Sequence, residues 1–513
     1  MKGGFLILDF GSQYTQLIAR RLREFGVYSE IQAYNYEIED IKSSNFEGII
    51  LSGGPNSVGA EGAPFRDVNE LLEIAPVLGI CYGMQLLSKS LGGMVEPSDL
   101  SEYGLNRITW SKRISPDIER EQKVWMSHGD VVKLPPPGFE VVAQSSSGHA
   151  AAIQSERAWG FQFHPEVTHT EKGDDLLRAF VFGCCNAEAT WDSQQMKATL
   201  TDYILSKLGK TEHVLCGLSG GVDSTVVATL LTRTMGKDKV HCVFVNNGLL
   251  RKNEFEEVMK NYEDLGLNVR GVDASEKFLH ELKNVSDPEK KRKIIGKQFI
   301  EVFKDSIWKI EKEEKIKIHY LAQGTLYPDV IESVSIHGSS VTIKSHHNVG
   351  GLPEDLNLKL VEPLRLLFKD EVRALGETLG IPGRLLWRHP FPGPGLAIRI
   401  IGPITEEDIK ILQEADYIFR DELVKHDIYD DIWQAFAVLL PVRTVGVQGD
   451  NRTYSKTLAL RAVTSQDGMT ADWFEFSPSF LKTVSNRITN EVKAINRVVY
   501  DITSKPPGTI EWE

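Results

Sequence analysis

Val214-Leu215-Cys216-Gly217-Leu218-Ser219-Gly220-Gly221-Val222-Asp223-Ser224 is an apolar run, a glycine loop and the start of a helix. A short apolar run closed by a glycine turn reads as a buried parallel strand. The helix continues from Ser224 to Met235, and Val240-His241-Cys242-Val243-Phe244-Val245 is the next strand. Strands alternating with helices call for a parallel sheet. The same pattern fills the chain upstream, to about residue 190. Phe5 to Leu8, Gly48 to Leu51 and Val77 to Cys81 read as strands, and Tyr14 to Phe25 and Met84 to Leu91 as helices. Downstream, Arg388-His389-Pro390-Phe391-Pro392-Gly393-Pro394-Gly395 is too rich in proline and glycine for regular structure and marks a boundary. Beyond it, Leu396 to Ile401 reads as strand-like and Glu406 to Leu423 as a helix. The expected fold is therefore α/β: two parallel-sheet α/β domains, 1–191 and 192–388, followed by a smaller α+β domain, 389–513. The polar stretch Asn186 to Gln195 reads as the first linker.

The chain has 513 residues, a length that suits two to four domains. No apolar run is long enough to span a membrane, and the N-terminus enters a strand pattern directly, with no cleavable signal. Five cysteines make no disulfide framework, and no Cys-x-x-Cys pair suggests structural zinc. A reducing cytoplasm is expected. A net charge of −13 argues against a nucleic-acid partner. The mixed run Glu311 to Lys315 reads as a solvated helix face.

Cys81 lies between Gly79 and Gly83, at the end of a strand and the start of a helix. Glycines permit a tight strand-to-helix turn, and a helix N-terminus favours a thiolate. Alone, the pattern also describes a buried cysteine in a turn. His164-Pro165-Glu166 adds a base and a carboxylate two residues on, which would share a side of an extended segment. Ser52-Gly53-Gly54-Pro55 offers backbone N–H groups for an oxyanion, or is an ordinary turn. Together with Asp9-Phe10-Gly11-Ser12-Gln13-Tyr14 and Met84-Gln85, these runs resemble the class I glutamine amidotransferases. The resemblance implies Cys81 as nucleophile, His164 as general base and acid, and Glu166 as its orienter. It also implies Gly53 and Gly54 at the oxyanion hole and Gln85 near bound glutamine.

In the second segment, Ser219, Gly220, Gly221, Val222, Asp223 and Ser224 form a loop that lets backbone approach phosphate at a helix N-terminus. No lysine of the Gly-x-x-x-x-Gly-Lys type is present. Such a loop suits a pyrophosphate leaving group, and it resembles the N-type ATP pyrophosphatases. Asp223 is a candidate Mg²⁺ partner. Lys369 is either a phosphate partner or a surface lysine on a helix.

Gln323 to Ser333, Ile343 to Gly351, His389 to Arg399 and Thr503 to Glu513 resemble the glutamine-hydrolysing GMP synthase family, and with both signatures the resemblance spans essentially the whole chain. Adjacent histidines on a strand face opposite ways, so His346-His347 reads as part of a glycine-rich lid over ATP and not as a metal pair. The terminal run, with Pro506-Pro507 and Trp512, reads as a tail that docks. The family implies that XMP contacts Arg292, Gln448, Lys505 and Glu511, and that the chain forms a homodimer through its C-terminal domain. It also implies Mg·ATP and glutamine as substrates, no prosthetic group, and ammonia passing from one site to the other. One departure is Asn246, where the family often carries Asp; the amide removes a charge near the presumed adenylate. Two other readings stay open. One is another amidotransferase-fed ATP-pyrophosphatase ligase, and the other a nucleotide-sensing scaffold without chemistry.

Overall fold

The computed structural model describes residues 3–209, 211–333, 358–448, 451–465 and 470–513. The family run Ile343 to Gly351, with its histidine pair and expected lid, lies outside them. The chain divides into two compact units, Met1–Thr199 with Pro328–Lys344, and Leu200–Tyr327 with Ser345–Glu513.

Unit 1 is built on one nine-stranded sheet. Its strands are β1 (Phe5–Asp9), β2 (Ser29–Ala33), β3 (Gly48–Leu51), β4 (Val77–Ile80), β5 (Met94–Trp110), β6 (Glu121–Leu134), β7 (Glu140–Ser145), β8 (Ala150–Gln154) and β9 (Ala158–Phe161). Their spatial order is β2-β1-β3-β4-β9-β8-β7-β5-β6. From β2 to β9 neighbours run parallel. These strands are short, and all but the edge strand β2 are wholly buried: Phe5, Leu6, Ile7, Leu8, Ile49, Ile50, Leu51, Val77 and Leu78 expose nothing to solvent. Continuous apolar runs of this kind need a covered face on both sides.

The other half departs from the sequence expectation. Residues 94–154 form antiparallel strands, not alternating strands and helices. β6 alternates exposed and buried residues along much of its length, the mark of a one-faced strand. β5 is interrupted in register between Pro97 and Glu102, which blurs that period in the sequence.

Unit 2 carries two sheets. Strands β10 (His213–Leu218), β11 (Val240–Asn246), β12 (Val269–Asp273), β13 (Ile318–Ala322) and β14 (Lys359–Val361) are parallel, in the order β12-β11-β10-β13-β14. The second sheet holds β15 (Gln434–Gln448), β16 (Asn451–Thr464), β17 (Asp472–Trp473) and β18 (Ile495–Tyr500), with β18 parallel to β16. One hydrophobic core runs through both, from Leu215 and Val243 to Leu412, Phe419, Leu458 and Val484.

Leu396 to Ile401 is not a strand. Gly395–Arg399 is a 3₁₀ turn, with all five residues buried. A short buried apolar run does not by itself distinguish helix from strand. Here Gly395, at φ +62°, starts the turn with its Cβ position only 2.4 Å from the Leu249 carbonyl oxygen. Lys291 Nζ then donates to the carbonyls of Ala397 and Ile400 at 3.0 and 2.8 Å.

Candidate active sites

In unit 1 the carboxyl ends of β4 and β9 are adjacent, where open parallel sheets place ligands. Cys81 follows β4 and caps the helix Tyr82–Ser90 at φ +54°, ψ −108°. A non-glycine residue there costs on the order of 1–3 kcal/mol, which the surroundings must hold. They do so through close backbone approach. A Cβ on Gly79 would lie 2.4 Å from the Gly83 carbonyl oxygen, and one on Gly83 would lie 2.2 Å from that of Leu51. The Cys81 N–H donates to the Phe161 carbonyl at 2.7 Å, tying the elbow to β9. Its Sγ lies 3.5 Å from the Ser127 carbonyl of β6.

His164 and Glu166 are 3 % and 1 % exposed, and Nδ1 of the ring lies 2.7 Å from Glu166 Oε1. The pair does not arise from extended geometry as expected. β9 ends at Phe161, and Pro165 and Glu166 form a turn. The turn is braced by Thr170 Oγ1, which donates to the His164 carbonyl at 2.6 Å, and by the His164 N–H, which donates to the Trp125 carbonyl at 3.0 Å. Burial pushes the His164 pKa down, but the Glu166 carboxylate and the Cys81 sulfur outweigh it. The imidazole is held well above its ordinary value. The ring thus sits between a sulfur and a carboxylate, both of which favour its protonated form.

Gly53 packs against this ring: its Cβ position is 3.2 Å from His164 Cε1. Gly54 has the Phe10 carbonyl oxygen at 2.7 Å in the same place. Gln85, in the first turn of the Cys81 helix, donates to the Asp130 carbonyl at 2.9 Å. Cys81, His164, Glu166, Gly53 and Gln85 are thus gathered at the carboxyl ends of the central strands β4 and β9.

The sequence reading missed what β6 contributes. Ser127 and Asp130 act through carbonyls, which no side-chain pattern reveals. His128 between them is 5 % exposed and lies 3.2 Å from Glu102, its register partner on β5. Burial would raise the Glu102 carboxyl, but hydrogen bonds from His128 and Ser145 pull it down to about 2. A buried His–Glu pair on facing strands was open to detection only with the strand register known. Tyr14 was named only as part of the Asp9–Tyr14 run, with no role; its ring meets the His164 ring edge-on at 5.0 Å.

In unit 2, β10 leads into Ser219–Gly221 and the helix Val222–Met235. The Ser219 N–H donates to Ser224 Oγ at 3.2 Å, and the two hydroxyls lie 3.1 Å apart. The Gly221 N–H makes a long bond, 3.3 Å, to Ser219 Oγ. Asp223, in the first helical turn, pairs with Lys369 through both carboxylate oxygens at 2.6 Å. Gln323-Gly324 packs against this turn, the Gly324 Cβ position being 3.1 Å from Asp223 Cβ. Ser219, Asp223, Ser224 and Lys369 therefore form one cluster. Asn246 ends β11 and turns its Oδ1 to the Gly248 N–H at 3.0 Å, so the amide caps its own loop.

The residues implied for XMP do not all meet. Arg292 Nη2 donates to the Glu513 carbonyl at 2.7 Å, and neighbouring Lys291 to Glu513 Oε2 at 2.6 Å. Glu511 is held bidentately by Arg399, at 2.8 and 3.1 Å, and by Gln434 at 2.7 Å. The tail is docked by Arg461, fully buried, which donates to the Thr503 and Thr509 carbonyls at 2.5 and 3.1 Å. Ile510 is 8 % exposed, whereas Trp512 is 39 % exposed, so the isoleucine rather than the tryptophan is the anchor. Lys505 sits on the same tail, its backbone paired with Ala471 at 2.7 and 3.1 Å. Gln448 is elsewhere. It ends β15, which begins at Gln434 beside Glu511. At about 3.3 Å per residue those ends are roughly 45 Å apart along the strand.

In comparison with known proteins, three families match successive parts of the chain. The class-I glutamine amidotransferase family matches residues 6–184, the NAD synthase family 193–296, and the GMP synthase C-terminal domain 421–512. The GMP synthase (glutamine-hydrolyzing) of Bdellovibrio bacteriovorus is 63 % identical over 510 residues, covering 99 % of this chain and 100 % of the relative. That of Aquifex aeolicus is 56 % identical over 513 residues, covering 99 % of each. That of Christiangramia forsetii is 55 % identical over 518 residues, covering 100 % of each.

Proposed function

The chain belongs to the glutamine-hydrolysing GMP synthase family, and we propose that its two clusters carry out the two halves of that reaction. The Cys81 thiolate attacks the side-chain carbonyl of glutamine. The resulting oxyanion is met by backbone N–H groups of the Gly53-Gly54 turn. His164 gives its proton to the departing nitrogen, which leaves as ammonia, and a glutamyl thioester remains on Cys81. His164 then takes a proton from water as the water attacks the thioester, releasing glutamate and restoring the thiolate. Glu166 holds the ring through Nδ1 and balances its charge throughout. Gln85 sits where the glutamine would lie.

In the second half, the C2 oxygen of XMP attacks the α-phosphorus of ATP and pyrophosphate departs. Ammonia attacks C2 of the adenylylated XMP, AMP leaves and GMP is formed. The Ser219–Ser224 loop holds the pyrophosphate with hydroxyls and helix-terminal N–H groups. Lys369 moves from Asp223 to phosphate, freeing that carboxylate. Mg²⁺ bound with ATP would supply charge neutralisation on the leaving group. Among the described residues no cluster of three His, Cys, Asp or Glu side chains is suited to a metal. A single carboxylate, Asp223, fits Mg²⁺ held mainly by phosphate and water. Arg292, Lys505 and Glu511, gathered on or beside the tail, recognise XMP, whereas Gln448, at the far end of β15, does not reach that site within one chain.

The same reading makes the chain a cytoplasmic homodimer. Val445 and Val447 are 46 % and 75 % exposed on one face of β15, beside Tyr454, the register partner of Val445, which is 64 % exposed. An apolar arm of this kind suits a second copy. No helix among the described residues is long and apolar enough to cross a membrane.

The observation that carries the function is the buried His164–Glu166 pair beside Cys81, in a chain 63 % identical over its length to a named GMP synthase. The test is a steady-state assay with XMP, Mg·ATP and either glutamine or ammonium. Equal amounts of GMP, AMP and pyrophosphate are expected from both nitrogen sources. No GMP from ammonium would end the synthase reading.

A further inference from the structure

Arg388 opens the proline- and glycine-rich segment, and its side chain is 15 % exposed. Its Nη1 donates to the Gly220 carbonyl at 3.1 Å. Its Nη2 is bonded to Glu254, whose side chain is 4 % exposed and whose other oxygen accepts the Arg251 N–H at 2.8 Å. Burial, then the nearby Arg420, pushes the Arg388 guanidinium down to about 10, so it remains charged at neutral pH. On the other side His389 is stacked on Tyr429 at 3.8 Å, with its N–H donating to the Tyr429 hydroxyl at 3.1 Å. The arginine is therefore fixed at both ends, by a buried carboxylate and by the stacked residue that follows it.

Gly220 is shaped to receive it. Its φ is +77°, and a Cβ there would lie 3.4 Å from Arg388 Nη1. No side chain stands between the guanidinium and the loop. The Gly220 carbonyl and the Gly221 N–H belong to one planar peptide and point in opposite directions. Whatever fixes the first therefore aims the second, which here makes only a long bond of 3.3 Å to the Ser219 hydroxyl and is left for the anion to take over. A loop that takes pyrophosphate has to turn carbonyls away from the anion and N–H groups towards it.

We propose that Arg388 is a positioning residue for the phosphate loop: by gripping the Gly220 carbonyl from its anchorage on Glu254, it turns the Gly221 N–H towards the bound pyrophosphate. The inference rests on the reading of Ser219–Ser224 as the pyrophosphate-holding loop. Arg388 itself touches no reacting atom.

Arg388→Met leaves Glu254 buried without its cation and lowers stability. The double variant Arg388→Met/Glu254→Gln removes that charge and keeps an acceptor for the Arg251 N–H. The full-length protein and both variants are assayed in ammonium-driven synthesis for the KM of ATP, the KM of XMP and inhibition by inorganic pyrophosphate. Thermal midpoints are measured alongside. Arg388→Met raises the ATP KM and the pyrophosphate inhibition constant together, by about tenfold for one charge-assisted hydrogen bond. The XMP KM stays within about twofold, since the tail contacts are untouched. The double variant recovers the thermal midpoint but not the ATP KM. An ATP KM that recovers with the midpoint, or an XMP KM that rises in step with it, overturns the positioning role. So does an unchanged pyrophosphate constant. If the unsubstituted protein releases no pyrophosphate from ATP in the presence of XMP, the loop assignment falls instead.

Discussion

The thiol elbow and the phosphate loop are built from the same parts and packed to opposite ends. Each follows a parallel strand, turns on two glycines and opens a helix. At the elbow, Gly79 and Gly83 have backbone within 2.4 Å of where a Cβ would stand, and Cys81 is 5 % exposed at a strained φ. At the loop, the nearest atoms to the Cβ positions of Gly220 and Gly221 are 3.4 and 3.2 Å away, both on side chains. The strained dihedral at the elbow falls on Cys81, the proposed nucleophile, whereas Gly220 absorbs the loop's positive φ. The contrast fits the proposed chemistry. A nucleophile is one atom whose aim must not vary, and rigid neighbours hold a costly dihedral to secure it. A pyrophosphate is a large anion that needs a concave surface of donors, so the glycines there provide access more than packing.

The sharpest break between the two regions is expected from Cys81→Ala. Glutamine-driven synthesis should fall by at least about 10³-fold, while the ammonium-driven rate stays near that of the unsubstituted protein. Loss of both rates would show that the sites do not operate separately. Glu166→Gln should lower glutamine hydrolysis by about 10²-fold or more, because it removes the charge that holds the imidazolium. The carboxylate raises the His164 pKa, so its removal lowers it, and the imidazolium is lost at lower pH. The alkaline limb of the glutaminase profile should therefore move to lower pH. The raised His164 pKa contributes stability fully present below about pH 6.5 and lost as pH rises through the folded value. The gap in thermal midpoint between the two proteins should accordingly be widest in acid. An alkaline limb that does not move would remove Glu166 from this role.

Asp223→Asn sharpens the comparison from the other side. The ATP KM should rise by roughly tenfold and the Mg²⁺ requirement should increase, with glutamine hydrolysis unaffected. An ATP KM within twofold of the original would leave Asp223 as no more than the partner of Lys369. The smallest effects are expected in stability. Gly83→Ala forces a methyl group against the Leu51 carbonyl oxygen and should cost about 1–3 kcal/mol or more, visible in denaturant melts. Gly221→Ala, at φ −84° with only the Ser219 hydroxyl at 3.2 Å, should fold with a cost below about 1 kcal/mol. Similar costs for the two would erase the distinction between packing and access.

The parallel strands were legible because their buried faces leave continuous apolar runs, as in Phe5–Leu8 and Val214–Leu218. The antiparallel half of unit 1 was not, since β5 carries a register break and exposes Leu100, Tyr103 and Leu105. Gly395–Arg399 misled for a related reason: five buried residues in a row have no period to read. At the sites, side chains were legible and backbone partners were not. Cys81, His164, Glu166, Asp223 and Ser224 could be named from spacing, whereas the carbonyls of Ser127, Asp130 and Gly220 bear no residue-specific mark. Arg388 was in plain view beside the proline-rich boundary, but nothing local ties an arginine to a glycine 168 positions earlier.

The sequence by itself determined the membership of each local device: which residue could be a nucleophile, which loop could face phosphate, and that both belong to α/β units. Those properties depend on neighbours a few residues away, through turn geometry and helix termini. Only the tertiary structure decided which distant groups complete them. His164 meets its carboxylate in a turn instead of a strand. Glu511 is set by Arg399 and Gln434. Gln448 lies at the other end of a 15-residue strand from the tail residues with which it was expected to contact XMP. Contacts between segments distant in sequence are chosen by the register and packing of whole elements, and no local pattern encodes where two such elements will meet.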